Sequence, residues 1–419
     1  MKTKAVRLYG KNDLRLEEFT LPEIKEDEIL ARIISDSICM SSYKAAIQGE
    51  DHKRVPNNIS EKPIIVGHEF CGEIVEAGQK WKHKFPKGSK FSIQPALNQE
   101  DDPYAAPGYT FEYIGGSATY IIIPNIVMDL NCLLPYDKDS YFYGSLAEPM
   151  SCIVGAFHAS YHTKQGSYKH EMGIVENGNM LILAGAGPMG LGAVDYAIHC
   201  DRKPKKLIVT DIDKERLKRA QTIYTVEEAL ENGVELVYLD TSKSKDVLKE
   251  LMSYTNNRGY DDVMVFAPVA PLVELGDSLL ARDGCLNFFS GPSKQDFKAL
   301  LNFYNVHYNA THIVGTSGGN TDDMIESIDM MTKGLIDPAS MVTHIGGLDS
   351  VKDSVLNLPK IPGGKKLIYT NIKMPLVPID ELKLKEEKLY RELSKIVDKN
   401  KGLWSKEAED YLLENGEKI

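Results

Sequence analysis

The hydrophobic pattern changes its period twice along the chain. Over residues 4–35 apolar and polar side chains alternate, as in Ala5-Val6-Arg7-Leu8-Tyr9 and Leu14-Arg15-Leu16-Glu17-Glu18-Phe19; Pro22 interrupts the run and residues 28–34 resume it. A period of two predicts half-buried strands. Residues 36–49 turn small, polar and helical in character, and 51–62 read as a charged loop. Strand-like runs return within 63–78, one ending at His68-Glu69 and another following it, and at 117–123. Between them, residues 95–116 are rich in Asn, Asp, Pro, Tyr and Gly, which predicts a long irregular loop. A small-residue helix is predicted from Leu146 to about Tyr161.

From residue 180 short apolar runs alternate with helical segments. The runs fall at 180–184, 207–210, 235–239, 262–266, 285–289 and 312–315. Strand–helix alternation predicts a parallel sheet with right-handed crossovers, here about six strands of one doubly wound domain. Short strands resume at 341–345 and 366–370. The tail is charged and helical at 381–397 and 405–415, which reads as an extension docked on the surface. The expected organisation is therefore α/β: a β-rich part over 1–160, a doubly wound parallel-sheet domain over 161–335, a return to the β-rich part over 336–375, and a helical C-terminal extension over 376–419.

Composition narrows the partners. With 49 Lys and Arg against 60 Asp and Glu, the formal net charge is -11. A general nucleic-acid or anionic-membrane binder needs a basic face, so neither is expected. The N-terminus has no apolar signal region and no run approaches a membrane span, so a cytoplasmic protein is expected. The six cysteines are dispersed without a CxxC, which does not make a disulfide framework.

Chemistry-bearing residues fall in two groups. The run at 180–184 leads directly into Gly185-Ala186-Gly187-Pro188-Met189-Gly190 and then an apolar helix. Strand, glycine loop and helix in that order can cradle a dinucleotide pyrophosphate at a helix N-terminus. Gly185 is expected to make the tight turn, Gly187 to admit the phosphates and Gly190 to let helix and strand pack closely. Asp211 follows Gly190 by 21 residues at the end of the next strand, where a carboxylate can accept ribose hydroxyls and disfavour a 2′-phosphate. NAD(H) is therefore expected, with NADP(H) left open by Lys214 and Arg216. Asp211 can also be read as a helix cap, for which Asp213 is an equal candidate. The second group is Cys39, His68, Glu69 and Glu148. Thiolate, imidazole and carboxylate together suit zinc with an open coordination position. Each alone has an ordinary structural explanation, and Glu148 before Pro149 can be a helix-start acid.

Cys39-Met40-Ser41, Gly67-His68-Glu69-Phe70-Cys71-Gly72-Glu73-Ile74, Glu148-Pro149-Met150-Ser151-Cys152 and the loop 185–190 resemble, in order and spacing, the zinc-dependent medium-chain alcohol/polyol dehydrogenases. The resemblance implies a GroES-like β-rich catalytic domain interrupted by a Rossmann domain. It implies Cys39 and His68 as zinc ligands, Glu69 and Glu148 completing or exchanging in the metal's coordination, and Ser41 as the proton-relaying hydroxyl. Family members often carry four closely spaced cysteines around a second zinc. Residues 94–116 contain none, so one catalytic zinc and no structural zinc is expected. Lys44 stands where a relay histidine is usual. A narrower resemblance, carried from Arg7-Leu8-Tyr9-Gly10 through Gly315-Thr316-Ser317-Gly318-Gly319 to Trp404-Ser405, is to the branch that reduces a phosphorylated ketose.

A phosphate next to the reacting ketone needs a basic group near the metal. Lys44 is the first candidate; His52, Lys53, Arg54 and Lys365 are weaker ones. The family also implies a homodimer or homotetramer paired near residues 312–315. A dehydrogenase of an unphosphorylated polyol or amino alcohol, and a non-catalytic NAD-binding protein, both stay open at this point.

Overall fold

The computed structural model describes residues 1–419 apart from Ser293. The chain forms two compact units. The first comprises Met1–Pro149, Asn320–Thr332 and Val342–Ile419; the second comprises Met150–Gly319 and Lys333–Met341.

The first unit is built on an eight-stranded sheet. Its strands run in the order Val377–Pro378, Val342–Gly347, Lys365–Tyr369, Ile29–Ile38, Phe70–Ala77, Lys90–Ile93 and Leu133–Tyr136, with Tyr120–Ile123 also paired to Ile29–Ile38. A smaller sheet joins Lys2–Gly10 to Asp13–Thr20 and Ile64–Ile65. The inward residues of the alternating pattern, among them Ile29, Ile33, Phe70, Ile74, Phe91 and Ile121, form one buried cluster. That burial is the main drive for the fold. The pairing of Ile29–Ile38 with Phe70–Ala77 shifts register between Ile33 and Ser35. Gly72 sits at that shift, where a Cβ would meet the Arg32 carbonyl oxygen at 2.0 Å. Beyond it the Ser37 N–H donates to the Glu69 carbonyl at 2.9 Å. The ends of the two strands, carrying Cys39 and His68-Glu69, are thereby held side by side.

Three features differ from the sequence reading. The helix expected from Leu146 runs over Tyr141–Ala159, with Pro149 in its interior. Glu148 is therefore not a helix-start acid. The segment Asn320–Thr332, expected in the doubly wound domain, groups with the first unit. Gln94 donates to the Asn320 carbonyl at 2.9 Å, and the Ser327 hydroxyl to the Ala147 carbonyl at 3.1 Å. The tail is built into the unit rather than laid on it. Tyr390, Leu393 and Val397 face inward from the helix Lys388–Lys399, and Trp404 and Glu409 are almost fully buried.

The second unit holds a six-stranded parallel sheet ordered Glu235–Asp240, Lys206–Asp211, Asn179–Leu183, Tyr260–Val265, Leu280–Phe288 and His312–Val314. In sequence terms this is the doubly wound order 3-2-1-4-5-6, whose reversal lies beside the strand feeding the glycine loop. Its central strands are buried along almost their whole length, as expected where helices cover a parallel sheet. Among the described residues no helix is long and apolar enough to cross a membrane.

Candidate active site

Cys39 is the residue before the helix Met40–Gln48, and His68 and Glu69 immediately precede the strand Phe70–Ala77. One sulfur, one ring nitrogen and one carboxylate oxygen from these three lie within 4.8 Å of one another. The Ser41 hydroxyl, in the first turn of that helix, donates to Cys39 Sγ at 3.0 Å and lies 3.3 Å from His68 Nε2. Glu148 stands outside the tight trio but is buried and acts electrostatically on His68, Glu69 and Cys39. All four expected ligands thus fall in one unit and one neighbourhood.

Charge is managed inside this neighbourhood by Lys365. Its Nζ lies 2.5 Å from Glu69 Oε1, and the Ser37 hydroxyl donates to the other oxygen of the same carboxylate. Burial pushes Glu69 up, but Lys365, His68 and the two hydrogen bonds outweigh it and hold the carboxyl below its ordinary range. Burial lowers Lys365, yet Glu69, Cys39 and Glu148 raise it further, so it stays cationic. Glu148 is pushed up to about 7 by burial and by the charge of Glu69. Burial also lowers His68, against Glu148 and Glu69, leaving the neutral imidazole that ligates metals. The Cys39 thiol is pushed up by burial and drawn down by Lys365.

One residue at this site, Tyr109, and the role of another, Lys365, are not signalled by the sequence. Tyr109, from the long loop, has its hydroxyl 3.0 Å from His68 Nδ1. A partner on one ring nitrogen fixes the ring and directs the other nitrogen at its target. Gly108, at φ +79, lets the loop pass so close that a Cβ would meet the Gly67 carbonyl oxygen at 2.1 Å. Lys365, expected only as a weaker phosphate candidate, is buried by the fold against Glu69. Nothing local marks either role, since both partners are distant in sequence. Lys44 is half-buried on the helix Met40–Gln48, and its charge reaches His52.

The glycine loop joins the strand Asn179–Leu183 to the helix Pro188–His199. The left-handed residue of the turn is Ala184, at φ +56, rather than Gly185. Gly185 is needed for space, because a Cβ there would lie 2.6 Å from Ile182 Cγ2. A Cβ on Gly190 would meet the Gly185 carbonyl oxygen at 2.3 Å, whereas one on Gly187 would meet nothing within 4 Å. The loop therefore has an open side at Gly187 and a closed one at Gly190. Pro188 and Met189 open the helix Pro188–His199, whose first-turn N–H groups have no partner inside the helix's own ladder. Asp213 caps the next helix through the Glu215 and Arg216 N–H groups. Asp211 instead accepts from Ala186 N–H at 3.2 Å and from the Ile212 and Asp213 N–H groups, which ties the glycine loop to the neighbouring strand.

Comparison with known proteins adds to this geometry. Residues 25–130 match the alcohol dehydrogenase GroES-like domain, and residues 188–333 match the zinc-binding dehydrogenase domain. Mannitol-1-phosphate 5-dehydrogenase of Aliivibrio fischeri is 51% identical over 99% of this chain and 98% of its own length. L-sorbose 1-phosphate reductase of Klebsiella pneumoniae is 50% identical over 100% of this chain and 98% of its own. The chain belongs to the zinc-dependent medium-chain polyol dehydrogenases. The fold agrees: the crystal structure of 2R,3R-butanediol dehydrogenase from Bacillus subtilis superposes with a TM-score of 0.70 at 20% identity, covering 88% of this chain and 100% of that one.

This dehydrogenase is an NAD(P)-linked oxidoreductase. Its thiol, neutral imidazole and carboxylate fit a zinc ion by donor chemistry and mutual spacing, with room in the coordination shell for a fourth group. The open side of the glycine loop fits a pyrophosphate in the same sense.

Proposed function

We propose that this dehydrogenase reduces the ketone of L-sorbose 1-phosphate to give D-glucitol 6-phosphate. The observation that carries the substrate class is similarity over the whole chain, at 50–51% identity, to two proteins whose names specify a 1-phosphorylated sugar alcohol and a 1-phosphorylated ketose. The reductive direction and the ketose rest on the second of these. Cys39, His68 and Glu69 are the proposed zinc ligands, with Glu148 completing or exchanging in the set.

Zinc held by these donors supplies Lewis acidity toward a carbonyl oxygen, and the nicotinamide supplies the hydride. The chain's own residues do the rest. Ser41 relays a proton to the alkoxide oxygen, taking one up from solvent as it gives its own, so ketone, hydride and one solvent proton sum to the alcohol. Its contacts with Cys39 and His68 support that position. Glu69 holds its negative charge against Lys365, and Tyr109 steadies the His68 ring. Lys44 serves the substrate side of the helix Met40–Gln48. In the second unit Gly185, Gly187, Pro188, Met189 and Gly190 seat the pyrophosphate and Asp211 faces the adenosine ribose.

We further propose a homodimer or homotetramer. The strand His312–Val314 is an edge of its sheet, with Ile313, Phe303, Tyr304 and Tyr308 exposed around it. Light scattering tests this part.

A spectrophotometric assay of NADH and NADPH oxidation tests the reaction, with L-sorbose 1-phosphate set against fructose 1-phosphate and free L-sorbose. The highest kcat/KM is expected for L-sorbose 1-phosphate. Equal rates with free L-sorbose would remove the phosphorylated-ketose reading.

A further inference from the structure

Tyr109 touches the metal-binding residues on one side and a group of cations on the other. Its hydroxyl lies 3.0 Å from His68 Nδ1, and its ring centroid is 4.9 Å from that of His68. The His52 ring stacks parallel to the same tyrosine at 5.8 Å, within 12°. The Arg54 guanidinium lies 5.4 Å from the tyrosine centroid. The loop that carries it is fixed: the Thr110 hydroxyl donates to the Arg54 carbonyl at 2.9 Å, and the Arg54 N–H donates to His52 Nδ1 at 3.3 Å.

Arg54, Lys53 and Lys44 all act on the half-buried His52, which burial and these three cations together lower to about 4. Asp51, the nearest acid in sequence, is turned to Lys11 instead, 2.5 Å away. Among the described residues no carboxylate pairs with the Arg54 guanidinium. A guanidinium that faces an uncharged imidazole and carries no carboxylate can accept an anion. Arg54 is the member suited to bind phosphate by two parallel hydrogen bonds. Lys365 is excluded from this part by its buried pairing with Glu69.

We propose that Arg54, with His52 and Lys44 beside it, forms the subsite for the phosphate of a sugar monophosphate whose carbonyl carbon is next to the phosphorylated carbon. Tyr109 is the wall between the phosphate and the Cys39–His68–Glu69 centre. In a 1-phosphorylated 2-ketose the phosphate lies one carbon from the reacting carbonyl, so its site must lie one side chain from the metal-binding residues, as Arg54 does across Tyr109. This inference rests on the phosphorylated-ketose reading above, and it names the residue that discriminates the phosphorylated sugar from the free one.

The test compares the wild-type holoenzyme with Arg54→Gln and Arg54→Lys, using L-sorbose 1-phosphate and free L-sorbose as substrates. Binding of inorganic phosphate to each protein is followed by calorimetry. Arg54→Gln is expected to raise KM for the phosphorylated ketose about 10- to 100-fold and to weaken inorganic phosphate in parallel, with KM for free L-sorbose and the visible spectrum of the cobalt-substituted protein unchanged. Arg54→Lys should recover part of the loss. Equal changes with both sugars, or an altered cobalt spectrum, would overturn the subsite by showing that Arg54 acts through Tyr109 on the metal-binding residues. A wild-type preference for the phosphorylated sugar that Arg54→Gln leaves intact would overturn the subsite alone. No such preference in the wild type would overturn the underlying reading as well.

Discussion

Lys365 and Glu69, 296 residues apart in the chain, form a buried ion pair with Nζ and Oε1 separated by 2.5 Å. Removing one partner of such a pair leaves an uncompensated charge in a dry site, at a cost of about 3–5 kcal/mol, whereas neutralising both is far milder. Lys365→Met is expected to lose stability in that range, and the double variant Lys365→Met/Glu69→Gln to regain most of it. Urea unfolding of the metal-free proteins measures the cycle. Additive losses in the double variant would show that the two side chains act independently.

Cys39 and His68 are expected to hold the metal while taking no part in binding the dinucleotide. Cys39→Ala and His68→Ala should each lose bound zinc by elemental analysis, and turnover should fall by at least about 1000-fold with the loss of electrophilic stabilisation. NADH binding, followed by fluorescence, should change less than threefold, since the glycine loop belongs to the other compact unit. Substantial turnover in a zinc-free variant would contradict the assignment.

Glu409 ties the tail to the helix that carries Glu148. Its carboxylate accepts from the Tyr141 and Phe142 N–H groups at 2.7 and 2.9 Å, and from the Tyr369 hydroxyl at 3.0 Å. The Trp404 indole N–H in turn donates to that hydroxyl at 2.6 Å. Burial pushes Glu409 up from 4.5 to about 7, against those bonds and the charge of Lys406. The folded chain therefore holds this proton more tightly than the unfolded one. Its contribution to stability is greatest below pH 4.5 and is lost as pH rises toward 7. One such group changes stability by about 1.4 kcal/mol per pH unit across that window, about 3 kcal/mol in all. Glu409→Gln should lack this slope, so the stability difference from wild type should shift in the variant's favour by that amount between pH 4.5 and 7. Urea midpoints across the range provide the measurement, and a difference independent of pH would refute it.

The sequence carries the alternating strands and the doubly wound domain because each depends on local spacing, and it points to Cys39, His68 and Glu69, which the fold brings within 4.8 Å, by their donor chemistry. Period-two alternation marks Ile29–Ile38, and glycines at 185, 187 and 190 mark the loop. What escaped depends on contacts between distant segments. Tyr109 reaches His68 from a loop without periodicity, and Lys365 finds Glu69 only once the sheet has formed. The helix start at Tyr141 was hidden because its two first N–H groups are capped by Glu409 from the tail, rather than by a residue just upstream. Pro149 invited a helix start near 146 because proline usually opens helices; here it sits inside one, supported by packing.

The two sides of the glycine loop give a contrast that separates binding from folding. Gly190 has no room for a side chain, since a Cβ would lie 2.3 Å from the Gly185 carbonyl oxygen. Gly190→Ala must shift the helix off its strand, so both thermal stability and NADH affinity should fall. Gly187, at φ -76, has an ordinary backbone conformation and nothing within 4 Å of a Cβ. Gly187→Ala should therefore leave the melting temperature unchanged or slightly higher, because alanine narrows the unfolded ensemble. The new methyl group would occupy the open side, where the pyrophosphate is expected, and NADH affinity should drop at least tenfold, about 1.4 kcal/mol. Melting curves without cofactor and NADH titrations of the two variants measure both effects. Unaltered NADH binding in Gly187→Ala would show that the dinucleotide does not approach the loop from this side.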